Sequence, residues 1–198
     1  MISFQDFMKD NLVLLDGAMG SLIYQKGVFI DKCYDELNLS RPDLIRSIHE
    51  DYVRAGAKVI ETNTYGANRF KLQAHNISGK IGEINSQGVA LAREAAGENV
   101  YVAGSMGPSG VEAEPWGDTT LEEVFGVYAE QAGILEKGGV DLFILETFQD
   151  IRQMEQAIRA VRRVSTLPLV AMMTVREDGK TRYGVDIDDI AYQLMKTE

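Results

Sequence analysis

Along this 198-residue chain, five short apolar runs each lead directly into side chains that can hold a ligand. Asp16 follows Leu12 to Leu15, and Glu61-Thr62-Asn63 follow Ala57 to Ile60. Ser105 stands just past Val100 to Ala103, Glu146-Thr147 close Val140 to Leu145, and Thr174 comes after Pro168 to Met172. Carboxylates dominate this set. Asp16 and Glu146 would present negative charge among neutral hydroxyl and amide neighbours, an environment suited to an ammonium group or a divalent cation. In the turn Asp16-Gly17-Ala18-Met19-Gly20-Ser21, the glycines let the backbone approach a ligand closely, so free N–H groups can meet a carboxylate. Taken together these features describe a site for a zwitterionic amino acid. A hard-metal site, with Mg²⁺ on Asp16, Glu61 and Glu146, is the competing reading, since such ions take oxygen donors. Any single polar residue at such a place can simply end a strand or cap a helix. Five in register ask for a common purpose.

The apolar runs have the length and bounding residues of buried strands. Between them apolar residues recur at helical spacing. The sets are Leu44, Ile45, Ile48 and Tyr52; Ile84, Leu91, Ala92 and Ala95; Leu121, Val124, Phe125, Tyr128, Ala132 and Leu135; and Ile151, Met154, Ile158 and Val161. Ser40 is placed to cap the helix starting near Pro42, Thr120 with Glu123 forms a capping-box pattern, and Gly138-Gly139 ends the third helix. Alternating strands and helices imply βαβ units and a parallel sheet, whose C-terminal strand ends share the face where ligands bind. The stretch from Ser105 to Asp118 is the longest irregular one, either a lid or a plain surface loop.

Five strands fit a doubly wound sheet of this length, whereas a complete TIM barrel takes roughly 250 residues. The first βα turn carries neither the dinucleotide fingerprint nor a P-loop, and the chain stops inside a helical pattern running from Ile187 to Met195. The expected fold is therefore α/β, the N-terminal portion of a (β/α)₈ TIM barrel comprising about five βα units, with residues 1–198 forming one truncated domain.

Composition narrows the partners. With 45% hydrophobic and 25% charged residues the chain is globular, and its net charge of −10 opposes binding to nucleic acid or an anionic membrane. Met1 to Lys9 lacks a secretory pattern and no apolar run approaches a membrane span, so a cytoplasmic protein is expected. One cysteine, Cys33, and two histidines, His49 and His75, cannot assemble a Cys/His zinc cluster. Cys33 reads as a bystander, and the histidines as surface or helix-packing residues. Asn68-Arg69-Phe70-Lys71 reads as a solvated helix start, with a small anion-binding patch as the alternative. Trp116 belongs to a lid or to simple packing.

Five blocks carry a resemblance: LLDGAMGSLI (Leu14 to Ile23), AGAKVIETNTYGANRFKL (Ala55 to Leu72), VAGSMGPSG (Val102 to Gly110), GGVDLFILETFQD (Gly138 to Asp150) and AMMTVREDGKTRYG (Ala171 to Gly184). In that order they resemble the homocysteine S-methyltransferase domain family, including the N-terminal domain of cobalamin-dependent methionine synthase and enzymes fused to methylenetetrahydrofolate reductase. Ser21 stands where many relatives carry Thr. The resemblance implies that Asp16 and Glu146 hold the homocysteine amino group, that the Gly17 region meets its carboxylate, and that Thr62 and Asn63 line the pocket beside Ser105. It also implies zinc on three cysteines, at positions beyond Glu198, where coordination would keep the homocysteine sulfur as a thiolate. The expected reaction of the full-length protein is methyl transfer to homocysteine, giving methionine. The donor is methylcobalamin, a methylfolate-derived group or S-methylmethionine, with cobalamin or methylfolate reached through further domains. The 198-residue chain alone is expected to be inactive, and to form oligomers or be completed by the remaining half-barrel. Two other functions fit the residues: a non-catalytic amino-acid-binding module, and a Mg²⁺-dependent lyase or aldolase on a barrel.

Overall fold

The computed structural model describes residues 2–197. The elements in chain order are α1 (Phe4–Asp10), α2 (Met19–Gln25), α3 (Leu37–Ser40), α4 (Pro42–Ala55), β1 (Val59–Glu61) and α5 (Arg69–Ala74). There follow α6 (Ile81–Ala96), β2 (Tyr101–Met106), α7 (Leu121–Gly138), β3 (Leu142–Phe148), α8 (Ile151–Val164), β4 (Leu169–Met173) and α9 (Ile187–Lys196). The strands are parallel and lie in the order β1-β2-β3-β4. A doubly wound sheet reverses direction at a switch point, whereas a barrel adds each strand beside the last. The unreversed order is that of a barrel arc.

Strand alternation sorts the side chains into two layers. Ile60, Val102, Phe143 and Leu145 join the main core, packed by residues such as Ala92, Tyr128, Leu135, Met154 and Ile158 from α6, α7 and α8. Val59, Tyr101, Ala103, Leu142 and Ile144 point the other way, where Phe4 and Phe7 of α1 pack against them. Phe4 meets the Tyr101 ring edge-on at 5.3 Å, and the Tyr101 hydroxyl donates to the Ile2 carbonyl at 3.0 Å. Helix α1 thus plugs the inner side of the arc, at the end opposite the C-terminal strand ends.

One of the five expected strands is not formed. Leu12 to Leu15 contributes only an isolated parallel bridge, Leu15 to Val59, although the Asp16 N–H still donates to the Val59 carbonyl at 3.0 Å. Leu12 is 93% exposed and Leu14 54%, so this run lacks the burial on both faces that sustains a central parallel strand. The other four runs form strands, and the four helical patterns form α4, α6, α7 and α8.

Capping follows the sequence in two cases of three. Thr120 and Glu123 make both bonds of the capping box at the start of α7, and Gly139 ends that helix in the left-handed conformation that glycine adopts freely. Ser40 does not cap α4. It is the last residue of α3, its hydroxyl donates to Glu36, and Pro42 starts α4 after Arg41 without a side-chain cap. His49 is fully buried on α4 with both ring nitrogens unpartnered among the described residues, and burial pushes its pKa down to about 4; it packs as a neutral side chain.

Candidate functional site

A pocket of about 300 Å³ opens at the C-terminal ends of the strands. Asp16, Gly17, Thr62, Asn63, Ser105 and Glu146 all line it, and Glu61, Ala18, Met19 and Tyr65 complete the wall. The cause is the two-residue period of a strand. Glu61 is in phase with the inward-facing Val59, Ser105 with Tyr101 and Ala103, and Glu146 with Leu142 and Ile144. Inward alternation that buries apolar side chains lower down delivers polar ones at the rim. Thr174, the fifth expected strand end, does not join them: it is exposed and absent from the pocket wall, its N–H taken by the Phe148 carbonyl at 2.7 Å.

The acidic groups are held firmly. Asp16 accepts the Glu61 N–H at 2.9 Å, which ties the first turn to the end of β1, and Glu146 accepts the Ser105 hydroxyl at 2.6 Å. Glu61 keeps a buried carboxylate oxygen without a partner among the described residues. Burial pushes the Asp16 carboxyl up to about 7, with repulsion from Glu146 adding to it, while the Glu61 N–H bond opposes the rise. Burial likewise pushes Glu61 up to about 8, reinforced by the negative charges of Glu146 and Asp16. Such shifts are what closely spaced, desolvated carboxylates show when no cation is beside them. No lysine or arginine lines the pocket.

Thr62 and Asn63 reach the wall, and Thr62 Oγ1 and Asn63 Nδ2 are already engaged in hydrogen bonds. Thr62 Oγ1 pairs with Thr64 Oγ1 at 2.6 Å and accepts the Ser105 N–H at 3.1 Å. Asn63 Nδ2 donates to the Tyr34 carbonyl at 2.8 Å and to Asn38 Oδ1 at 3.0 Å. Behind them Asn38, Asn85 and Gln131 donate to the carbonyls of Asn63, Ala67 and Thr64. This buried network fixes the segment between β1 and α5, which has no ladder of its own to hold it. Glu61, by contrast, leaves a carboxylate oxygen without a partner among the described residues. Its position at the end of an apolar run gave the signal in sequence, and its burial marks it as a member of the site.

Gly17 packs against Tyr52, since a Cβ there would lie 3.1 Å from the Tyr52 hydroxyl. Residues 17–19 line the pocket, and α2 opens at Met19 without a side-chain cap. Among the described residues, no group of three or more His, Cys, Asp and Glu side chains is arranged to hold a metal ion. Cys33 is half-buried with its thiol pushed up to about 11, chiefly by burial and then by Asp35; it donates to Asp35 Oδ2 at 3.8 Å. Trp116 is 60% exposed and stacks on Tyr183 at 6.1 Å. No helix among the described residues is long and apolar enough to cross a membrane.

Known proteins resemble this chain in sequence and in fold. The chain is 33% identical over 199 residues to methionine synthase of Mycobacterium tuberculosis, covering 92% of this chain and 17% of that protein. It is 34% identical over 189 residues to the Mycobacterium leprae methionine synthase, covering 87% of this chain and 16% of that protein. Among solved structures, the metallated form of the homocysteine methyltransferase MmuM from Escherichia coli superposes with a TM-score of 0.84 at 23% identity, over 98% of this chain and 74% of that one. The oxidized form gives a TM-score of 0.85 at 24% identity, with 98% and 73% covered. These likenesses confirm the partial-barrel fold. Residues 13–198 match the family described as homocysteine S-methyltransferase, and the chain belongs to that family.

Proposed function

We propose that this chain forms the amino-acid-binding part of a homocysteine S-methyltransferase, which transfers a methyl group to homocysteine sulfur and yields methionine. The observation that carries it is the pocket of three carboxylates, Asp16, Glu61 and Glu146, with no cation among its lining side chains. An ammonium group supplies that cation, and the Gly17 turn offers its N–H groups to the carboxylate of the same ligand. Ser105 positions Glu146, and the Thr62–Asn63 frame holds the wall rigid.

The side chains described here bind and orient the acceptor; none of them activates its sulfur. A thiol of this kind has a pKa of about 8.5, so an activating group must hold it as thiolate at neutral pH. Zinc would serve that purpose in the whole protein, on ligands other than these residues. The methyl donor is methylcobalamin, a methylfolate or S-methylmethionine.

Calorimetry with homocysteine and with its deaminated analogue 4-mercaptobutanoate tests this reading. Homocysteine should bind saturably, and removal of the ammonium should weaken binding by about thirtyfold or more, the cost of a desolvated charge pair. Equal affinity for the two ligands would refute the ammonium role of the pocket.

A further inference from the structure

A second cavity of about 320 Å³ adjoins the acidic pocket, and Tyr65 belongs to the wall of both. Unlike the acidic pocket, it has cations in its wall, Lys71 and Arg182, beside Glu112 and Asp150. Glu112 is paired with Arg182 at 2.7 Å, and Asp150 with Arg152 at 2.6 Å. Lys71 remains. Its ammonium lies 4.3 Å from the Tyr65 ring centroid and makes no ion pair or hydrogen bond among the described residues. Asp35 and Glu146 are near enough to favour its charge, yet burial works against it. A partly buried ammonium with three free donors, held by the face of one aromatic ring, is poised for an anion.

The surrounding backbone makes room for this lysine. Gly110 has φ of +91°, and a Cβ there would come within 2.7 Å of Lys71 Cγ. Gly107 passes so close to Tyr65 that a Cβ would lie 2.3 Å from its ring. On the opposite wall, β3 breaks register with β4 between Leu145 and Phe148, and Thr147 adopts φ of +63°, a conformation costly for a β-branched residue. The irregularity lets consecutive residues serve different cavities: Glu146 lines the acidic pocket, and Thr147 lines the second one.

We propose that this second cavity binds an anionic group, a carboxylate or a phosphate, of the co-substrate that reacts with the amino acid in the acidic pocket, with Lys71 as its cation. Segregated charge dictates the placement. The acidic pocket offers an anion no lysine or arginine side chain, whereas the adjoining cavity offers Lys71. Only the term co-substrate rests on the proposed function; anion binding at Lys71 does not.

The test uses the 198-residue chain and two probes titrated separately, inorganic phosphate and glutarate, followed by amide NMR at Gly110, Val111 and Gln149. Sodium chloride at matched ionic strength is the control. Saturable shifts are expected with at least one probe, and K71M and K71Q should each weaken that affinity by about tenfold or more. The K71M side chain keeps the aliphatic stem beside Gly110, and the same spectra report whether each variant is folded. Shifts no larger than those of chloride, or equal affinity in the native chain and both folded variants, would overturn the proposal. Neither probe is an amino acid, so this outcome is separable from failure of the acceptor reading, which the 4-mercaptobutanoate comparison decides.

Discussion

Replacing Glu146 by Gln should lower homocysteine affinity by about a hundredfold or more, while leaving the fold intact. The substitution keeps the side-chain volume and an oxygen able to accept the Ser105 hydroxyl, now 2.6 Å from the carboxylate. Only the charge goes. An ammonium drawn from water into this pocket then loses one of its three acidic partners, and burial opposes the ionisation of the other two, Asp16 and Glu61. Losing one partner of a desolvated charge pair costs about 2–5 kcal/mol, because the remaining charge is stranded. Calorimetry gives the affinity, and thermal unfolding verifies the fold. Unchanged affinity in a folded E146Q chain would remove Glu146 from the site.

The second large effect concerns stability without ligand. Asp16 and Glu61 have folded pKa values of about 7 and about 8, above the 3.8 and 4.5 of the free groups. Between those limits the folded chain binds more protons than the unfolded one, so stability falls as pH rises from about 4 to about 8. Below that window the penalty is absent; above it the penalty is complete. E61Q removes one titrating carboxyl and its unpartnered buried oxygen. At pH 8.5 the variant should be more stable than the native chain by on the order of 2–4 kcal/mol, with the difference shrinking toward pH 5. Urea unfolding at the two pH values measures it. Parallel pH profiles for native and E61Q chains would show that Glu61 carries no raised pKa.

Stability and binding therefore oppose one another at this site. Burying three carboxylates together destabilises the empty fold and prepares it for a cation, a trade common where a site is organised before its ligand arrives. The adjoining cavity, with Lys71 in its wall, holds a cation that the acidic pocket lacks.

The rim of the arc was readable in the sequence because strand periodicity carries both messages. Val140 to Leu145 announces a buried strand, and the same alternation that turns Leu142 and Ile144 inward brings Glu146 to the rim. Glu61, Ser105 and Glu146 follow one rule. Asp16 reaches the same pocket from a run that pairs at a single bridge, because one hydrogen bond to Val59 and one from Glu61 suffice to place it. The rule misleads at Thr174, which lies past the last described strand with no neighbour on its far side to turn it inward.

Long-range contacts were less accessible. Asn63 lines the pocket as its place in the sequence suggests, but the bonds of its Nδ2 to Tyr34 and Asn38, residues 29 and 25 positions away, have no local signature. Ser40 has the spacing of a cap, yet α3 claims it first. The left-handed backbone at Thr147 has no local signature, since a β-branched residue is the wrong type for that conformation. Asn68 to Lys71 reads in sequence as a solvated helix start or a small anion-binding patch; the fold of the Gly107 to Gly110 segment over Lys71 is what reveals the cavity it lines.

The pairing of an ammonium with the acidic pocket is tested most directly by its protons. Homocysteine titrated into the native chain at pH 7, in PIPES and in imidazole, should release roughly one proton per ligand bound, as an arriving cation drives Asp16 and Glu61 to ionise. Because imidazole gives out more heat on taking up that proton, binding should be more exothermic there, and the difference should shrink in E61Q. Heats equal in the two buffers, or smaller in imidazole, would contradict an ammonium seated among these carboxylates.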